Sequence, residues 1–388
     1  MATDPSALVT PPPTGGARRL GRYEVLGRVS VDDTAETFLA QEETALGGTR
    51  RLALERLLPG VAAQRERASG ALERARRAIQ IHHGALRHIY EQDELDGVPL
   101  VASEWVDGVS LRDLITDCAE RGGVPPEIAI RIAATVAAGL RHAHEATDAL
   151  GRPLDLVHGH VGADQVLVGY DGQVKLTGLG LARRPRPDGT APEASRDLPS
   201  DARVDVFGLA TCLWEALTGG SLFDREGDEV ATIVAVQEDE PPRLASVMEY
   251  PPEELDAPLR RALAKDPDAR STMAELHDAL EGWIDEHGYG VDESAITALM
   301  EELYEDDMLR GPRVEPTPLD ETGLGEGLDV PGSNPSEQAE PEPRPSRPSP
   351  PPPATPAPRD DPEAPRWVAP LIIAALAAVF VAAVLLLR

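Results

Sequence analysis

The side chains best suited to chemistry lie in two stretches of the sequence, RLALERLLPG at residues 51–60 and DLVHGHVGADQVLVGYDGQVKLTGLGLAR at residues 155–183. The second stretch contains His158 and His160, followed by Gln165. An imidazole can exchange a proton near neutral pH, and an amide oxygen can act as a weak ligand for a hard cation. Both stretches therefore have the outline of phosphoryl-transfer machinery, which needs a phosphate cradle, a cation, metal ligands and a base.

Length and charge limit the classes of protein to consider. The chain has 388 residues, of which 41% are apolar, so it can build one main domain with extensions. Its formal net charge of −30 leaves no basic field for nucleic acid, and we expect no nucleic-acid partner. Cys118 and Cys212 are the only thiols, which is typical of a reducing compartment and disfavours a disulfide or a thiolate metal site.

Two segments outside the main domain have compositions that cannot form a core. Residues 1–21 lack an apolar stretch of signal-peptide length and predict a short disordered leader. Residues 313–366 contain 16 prolines in 54 positions and predict a Pro-rich disordered linker.

An uncharged run of 20 residues, Val368–Leu387, follows the linker. At about 1.5 Å per residue a helix of this length reaches about 30 Å, which is the thickness of the hydrocarbon core of a bilayer. We therefore predict a transmembrane helix over residues 367–388, in preference to a buried core helix. Arg359 and Arg366 precede the run and Arg388 follows it, a bias that places the large amino-terminal part in the cytoplasm, tethered by a single-pass carboxy-terminal anchor.

The middle of the chain changes its pattern partway along. Short β-branched or apolar runs such as RYEVLG and ETFLAQE predict a small sheet with one helix over residues 22–103. From residue 108 to residue 285 the periodicity is mainly helical, as in PPEIAIRIAATVAAGLRHAHEA, with two short strands. The predicted fold class is thus α+β, with a β-rich lobe followed by a larger α-helical lobe.

Seven motifs in order make this region resemble a bacterial Ser/Thr protein kinase domain. They are LALERLLP, EWVDGVSLRDL, LVHGHVGADQVLV, VKLTGLGLAR, APE at residues 191–193, DARVDVFGLATCLWEALTG and ALAKDPDARSTMAELHDAL. The resemblance covers residues 22–285 and implies a two-lobed protein-kinase-like fold. Function must still be argued from the site, because one fold supports many activities.

The positions that bind the nucleotide and the metal in such kinases have changed here. Asp32 and Asp33 stand where the phosphate loop has glycines, and Glu55 stands where the resemblance implies a lysine. The usual glutamate partner of that lysine falls at Arg74, so a charge-swapped pair of Glu55 and Arg74 is one hypothesis. The alternative leaves Glu55 facing solvent and Arg74 as a surface charge.

The catalytic loop and the metal motif are altered in the same way. The resemblance implies a base aspartate where His160 stands, a metal-binding asparagine at Gln165 and a metal-binding aspartate at Gly178. We therefore expect no catalytic residue, no metal site and no cofactor, with ATP and Mg²⁺ weak or absent. A zinc site of three histidines, His144 with His158 and His160, is disfavoured because the resemblance gives two of them structural roles.

Positions that the resemblance assigns to the architecture are kept. They are His158, Leu179, Glu193, Asp205 and Arg270. Ser103 and Leu167 also leave room for a purine in the cleft.

The leading hypothesis is accordingly a membrane-anchored pseudokinase that signals through protein partners, with an active kinase or its substrate as the candidates. The alternatives are an atypical Ser/Thr kinase or nucleotide sensor that uses Glu55, Arg74 and His160, and a purely structural anchor. Residues 286–312 predict an acidic amphipathic helix that packs back on the second lobe, with one face formed by Ile296, Leu299, Met300 and Leu303.

Overall fold

The computed structural model describes residues 18–32, 34–44, 47–95, 97–180, 186–196, 198, 201–225, 227–287, 291–312 and 314. Three predicted segments lie wholly or largely outside these residues: the leader, the Pro-rich linker and the transmembrane helix over 367–388. Asp33 also lies outside them. Within the described part of the chain, no helix is both long enough and apolar enough to cross a membrane.

The amino-terminal lobe is built on an antiparallel sheet of six strands in the order β1-β2-β3-β4-β6-β5. The strands are β1 (Arg18–Leu20), β2 (Tyr23–Val31), β3 (Ala35–Glu43), β4 (Thr49–Leu57), β5 (Ile89–Leu95) and β6 (Val98–Glu104). The leader predicted to reach residue 21 is shorter than that, since Arg18 already pairs with Val25 and the Leu20 side chain is fully buried. Burying an apolar side chain favours the added strand.

Two helices follow β4, a short α1 (Pro59–Ala62) and the longer α2 (Arg65–Ala78). The face that α2 buries consists of alanines spaced three or four residues apart, namely Ala68, Ala71, Ala75 and Ala78. Small side chains at this spacing form one stripe of a helix, which lets α2 lie close to its neighbours. The remaining side chains of α2 are mostly charged, as expected for the outer face of a lobe.

The carboxy-terminal lobe is mainly helical and carries a small antiparallel sheet in the order β7-β8-β9. Its strands are β7 (Gly108–Ser110), β8 (Val166–Gly169) and β9 (Val174–Leu176). Its helices are α3 (Leu111–Cys118), α4 (Pro126–Glu145), α5 (Arg203–Thr218), α6 (Glu229–Glu238), α7 (Leu244–Val247), α8 (Glu253–Ala262) and α9 (Met273–His287). Ser110 and Asp113 form a capping box that starts α3 directly after β7.

A last helix, α10 (Glu293–Arg310), forms the core of the predicted acidic extension. It buries Ile296, Leu299 and Met300 as predicted, but its fourth buried residue is Tyr304, while Leu303 is only partly buried. The backbone of Tyr304 is not helical (φ −127°, ψ 20°), and Tyr304 lies four residues after Met300, on the face that the helix already buries.

Candidate functional site

A cleft of about 950 Å³ lies between the two lobes. Val29, Thr37 and Ala53 line it from the amino-terminal sheet, and Leu167 lines it from the other lobe. Trp105 and Asp107, in the linker that connects the lobes, line its edge. A volume of this order is typical of a pocket for a small molecule, and its walls combine apolar and polar side chains.

Asp32 lies at the tip of the hairpin between β2 and β3. Its carboxylate oxygen Oδ1 accepts hydrogen bonds from the backbone N–H groups of Thr34 (2.8 Å) and Ala35 (2.9 Å). This is the local side-chain-to-backbone bonding that aspartate provides in turns. Asp32 therefore shapes the loop above the cleft, where the resemblance implied a glycine.

Glu55 is buried, with 4% of its surface exposed, and is ion-paired with Arg87. Arg87 lies in the loop after α2, two residues before β5, and its side chain is 9% exposed. The hypothesis of a pair between Glu55 and Arg74 is therefore wrong in its partner, and so is the alternative of a solvent-facing Glu55. Glu55 does have a cationic partner, but that partner comes from a loop and not from α2, so the predicted exchange of charges between strand and helix is not observed.

Arg74 occupies a different environment on α2. Burial lowers the pKa of its guanidinium, and the nearby charge of Arg77 lowers it further. Its Nε is buried and has no hydrogen-bond partner among the described residues. The positive charge of Arg74 also contributes to lowering the pKa of His158, which indicates that the arginine lies on the side of α2 that faces the catalytic-loop region.

The two histidines of the catalytic loop lie side by side, with ring centroids 4.7 Å apart. His158 Nδ1 accepts a hydrogen bond from the backbone N–H of His160 (3.4 Å), and His158 Nε2 lies 2.6 Å from the carbonyl oxygen of Thr177. The carbonyl contact requires a proton on Nε2, and the acceptor role leaves Nδ1 without one. The ring is therefore the neutral Nε2–H tautomer. Burial lowers the pKa of His158, which agrees with a neutral, structural imidazole.

Asp205, at the start of α5, holds this loop in place and is completely buried. Its Oδ1 accepts from the N–H of Gly159 (2.7 Å) and its Oδ2 from the N–H of His158 (2.9 Å). His144 Nε2 on α4 lies 2.8 Å from the same Oδ2. One carboxylate thus joins α4, α5 and the catalytic loop.

The two positions at which the resemblance implied metal ligands are adjacent in space. A Cβ on Gly178 would lie 2.9 Å from both Gln165 Oε1 and His158 Nε2, and the φ of +90° at Gly178 disfavours any other residue there. Gln165 Oε1 accepts a hydrogen bond from the Thr177 hydroxyl (3.1 Å). The amide of Gln165 is therefore engaged by Thr177, Gly178 contributes no side chain, and no group of three or more His, Cys, Asp or Glu in the described ranges is arranged to hold a metal ion.

Glu193 and Arg270 form a buried bidentate ion pair, with Nη1 to Oε1 at 2.7 Å and Nη2 to Oε2 at 3.0 Å. This pair connects the APE segment with the loop before α9. Leu179 is buried in the main hydrophobic cluster and lines a small enclosed space beside Glu55 and Arg87. These positions do the architectural work that the resemblance implied for them.

Sequence reasoning missed a charge network below the cleft. Arg112 on α3 contacts Glu215 (3.1 Å), Asp188 (3.2 Å) and Asp164 (3.6 Å). Burial raises the pKa of Glu215, while the charge of Arg112 opposes that rise. The four residues are far apart in sequence and have no motif spacing, so only the fold brings them together.

The segment before APE contributes to the same region. Residues 181–185 lie outside the described residues, but Thr190 is buried and its hydroxyl donates to the carbonyl of Arg186 (2.8 Å). The hydroxyl is therefore engaged in a turn and is not presented to solvent.

The fold and the cleft define the class: a β-sheet lobe, a helical lobe and a catalytic-loop region held by one buried aspartate form the architecture of a protein kinase. A family model described as "Protein kinase domain" matches residues 79–280, and the chain belongs to that family. The recognition of a kinase domain is thereby confirmed, and so is the two-lobed fold.

The relatives are bacterial kinases. The chain is 31% identical over 284 residues to Tyrosine-protein kinase MasK of Myxococcus xanthus (strain DK1622). The matched region covers 69% of this chain and 44% of MasK. It is 31% identical over 207 residues to Serine/threonine-protein kinase PknL of Mycobacterium tuberculosis (strain H37Rv), which covers 50% of this chain and 49% of PknL. The chain thus spans half or less of the length of these relatives.

Solved structures give the same fold. The Mycobacterium tuberculosis PknI kinase domain is 24% identical, with a TM-score of 0.56, and covers 69% of this chain and 98% of that chain. At this identity the likeness shows the fold alone.

The family assignment corrects the expectation about cofactors. The prediction of no cofactor, with ATP and Mg²⁺ weak or absent, is wrong for a member of this family, because kinases transfer the γ-phosphoryl group of ATP with Mg²⁺. The prediction gave too much weight to single replaced positions and too little to the retained cleft.

Proposed function

We propose that this chain is a nucleotide-binding pseudokinase that signals through protein contacts at the cytoplasmic face of a membrane. The observation that carries the proposal is the buried pair of Glu55 and Arg87 at the position where the resemblance implied a lysine. A buried carboxylate at that position changes the sign of the charge there, and its arginine partner restores a cation at the wall of the cleft.

The cleft fits a purine nucleotide at its outer part. Val29, Ala53 and Leu167 provide apolar surface above and below a flat base. Ser103 is small and buried, and its hydroxyl donates to the Ala53 carbonyl at 3.3 Å, so it does not project into the space for the base. A bound ATP would supply a γ-phosphoryl group, and Arg87 is a cation of the cleft wall able to attract its phosphates.

Impaired phosphoryl transfer is supported by the groups around Gly178. Gly178 has no side-chain oxygen, and the amide of Gln165 is engaged with Thr177. His160 replaces the carboxylate base of the family and packs on the ring of His158. Transfer requires all of these groups to act together, so their joint replacement favours a binding role.

An atypical Ser/Thr kinase is the second candidate, and one observation favours it. Arg87 is the basic side chain among the described residues that line the cleft, and its guanidinium is paired with Glu55. The relatives are themselves named kinases. In this alternative, Arg87 takes the place that the earlier hypothesis gave to Arg74.

A nucleotide titration tests the binding that both candidates require, and a phosphate-transfer assay separates them. The purified full chain is heated with ATP or ADP, each with and without Mg²⁺, and we expect bound nucleotide to raise the melting temperature by mass action. An Ala53→Met control narrows the space for the base and should lose the shift. A chain that no nucleotide stabilises under any of these conditions contradicts the proposal, and transfer of labelled γ-phosphate to a protein substrate favours the atypical kinase.

Membrane anchoring and partners remain part of the proposal. The uncharged run Val368–Leu387 supports a single-pass anchor, and the arginines before it support a cytoplasmic kinase-like domain. We expect the full chain to fractionate with membranes and a chain ending at residue 366 to leave them; equal fractionation contradicts the anchor.

Protein partners, with an active kinase or its substrate as candidates, are tested by proximity labelling. The full chain is compared with a chain that lacks residues 22–285. Unchanged neighbours would assign the contacts to the linker and would favour the purely structural anchor.

A further inference from the structure

The last turns of α10 form part of the wall of the interlobe cleft. The α10 segment contributes Leu303, Tyr304, Asp307, Gly311 and Pro312 to the lining. The same lining includes Trp105 and Asp107 between the lobes and Thr116 and Asp117 of α3. The cleft therefore has a side wall from α10 in addition to the surfaces that the two lobes provide. A ligand in the cleft therefore meets residues that lie beyond the 79–280 match to the kinase family.

Apolar burial holds α10 in this position. Ile296, Leu299 and Met300 are nearly or fully buried in the hydrophobic cluster of the carboxy-terminal lobe. Burying apolar side chains of this size stabilises the docked position of the helix. The helix is thus a fixed element of the lobe and not an exposed tail.

A close backbone contact seats the beginning of α10. Gly172, in the turn between β8 and β9, has a φ of +85°, and a Cβ there would lie 2.1 Å from the carbonyl oxygen of Glu293. Arg131 Nε also donates to the carbonyl of Val291 at 3.0 Å, just before the helix. Only glycine allows this approach, so the direction of α10 toward the cleft is set at its first turn.

A polar contact fixes the end that lines the cleft. The Tyr304 hydroxyl donates to Asp117 Oδ2 on α3 at 2.6 Å. Burial and the neighbouring Asp117 both raise the pKa of Tyr304, so its hydroxyl remains a donor at any physiological pH. The Tyr170 ring lies 6.1 Å from the Tyr304 ring and supports it from β8 and its turn.

The lining of the cleft carries charges of both signs. Its basic group among the described residues is the Arg87 guanidinium, which is paired with Glu55, and Asp164 and Asp307 are among its carboxylates. Asp307, on the α10 side, also lies 3.7 Å from Arg310 Nη1. Phosphates are attracted to a guanidinium and repelled by carboxylates, while sugar hydroxyls donate hydrogen bonds to carboxylate oxygens, so Asp307 suits the sugar and not the phosphates of a nucleotide.

We propose that α10 completes the nucleotide site, with Asp307 as a ribose-binding residue and Tyr304 as the residue that positions the wall. The inference rests on the proposed nucleotide binding and extends it. Because binding free energies are linked, a nucleotide that contacts α10 also stabilises the docking of α10 on its lobe.

Two measurements on the full chain test the inference with ATP as the probe. The first is the dissociation constant for ATP in the wild type, Asp307→Ala and the matched control Glu302→Ala. Glu302 lies on the same helix, but it is 61% exposed and pairs with Arg121 at the surface. We expect Asp307→Ala to weaken ATP binding about 3- to 10-fold, as for the loss of one net hydrogen bond, and Glu302→Ala to stay within about twofold.

The second measurement is amide hydrogen exchange of residues 303–312 with and without ATP. We expect ATP to slow exchange in these residues, and Tyr304→Phe to reduce that protection.

The outcomes distinguish the inference from the proposed function. If ATP stabilises the wild type but Asp307→Ala binds it as well as wild type does, and residues 303–312 show no protection, the role of α10 is wrong while nucleotide binding stands. Tighter binding in Asp307→Ala also overturns the inference, because α10 would then shield the cleft. If ATP does not bind the wild type, the proposed function fails and the inference fails with it.

Discussion

Asp205 and Glu55 are both buried and both hold polar contacts, but only Asp205 is the residue type that the kinase family implies at its position. Asp205 keeps the type that the family implies and accepts three hydrogen bonds, two of them from backbone N–H groups. Glu55 has the wrong charge for the family, yet it is equally well buried and is paired with Arg87.

The comparison shows that the replaced polar residues of this cleft have new hydrogen-bond and ion-pair partners. A backbone donor cannot be exchanged by mutation, so the acceptor at position 205 has no substitute of equal length and charge. A side-chain pair can change both members, and Glu55 with Arg87 and Gln165 with Thr177 show such matched partners. The polar groups of the altered site therefore remain satisfied.

Removing the central acceptor should have the largest effect. Asp205→Ala leaves the N–H groups of His158 and Gly159 and the ring of His144 without their partner inside the protein. Each buried unsatisfied group costs about 1 to 3 kcal/mol, so we expect a loss of about 5 kcal/mol in the free energy of unfolding, measured by urea denaturation. Asp268→Ala, whose side chain is 88% exposed, is the control and should change stability by less than about 0.5 kcal/mol. Equal effects would contradict the comparison.

Restoring the family's lysine should be the next largest change. Glu55→Lys places a second cation beside the buried Arg87, and we expect a loss of about 3 to 5 kcal/mol in unfolding free energy. The double variant Glu55→Lys with Arg87→Glu should recover more than half of that loss, as followed in a double-mutant cycle. The same cycle with Arg74→Glu should show no recovery, and recovery there would return the pair to Arg74.

Restoring the aspartate that the family implies at position 178 tests how closely Gln165 packs against Gly178. Gly178→Asp introduces a Cβ 2.9 Å from Gln165 Oε1 at a positive φ, so we expect a loss of about 2 kcal/mol. Gly178→Ala should cost nearly as much, because the strain comes from the Cβ and the backbone. Combining Gly178→Asp with Gln165→Asn should regain part of the melting temperature; no gain would show that Gln165 is not the obstacle.

A smaller effect is expected at α10. Tyr304→Phe removes one hydrogen bond to Asp117 but keeps the buried ring, so we expect a loss of about 1 kcal/mol in unfolding free energy. Asp117→Asn retains an acceptor and should cost less than the removal of the hydroxyl. A neutral Tyr304→Phe variant would indicate that apolar burial alone fixes the end of the helix.

A pH dependence is also expected in the retained part of the fold. Burial lowers the pKa of Lys265 to about 8, and its Nζ donates to the Val236 carbonyl at 2.6 Å. The unfolded chain binds this proton more tightly than the folded chain, so stability should rise between about pH 8 and pH 10.5. Lys265→Met should flatten this part of the profile in urea titrations, and an unchanged slope would assign it to another group.

The sequence alone determined the class of fold and most of the architectural positions. Helical and strand periodicity, together with seven motifs in order, predicted two lobes because these signals are local and repeat every few residues. The same local reading predicted that α10 packs back on the lobe and named three of its four buried residues.

Only the tertiary structure decided the partners. Arg87 lies 32 positions after Glu55, and Asp117 lies 187 positions before Tyr304. No periodicity relates residues at such separations, since they meet only after both lobes have packed. For the same reason, the position of α10 beside the cleft depends on the close approach at Gly172 and on the contact of Tyr304 with Asp117, which exist only in the folded chain.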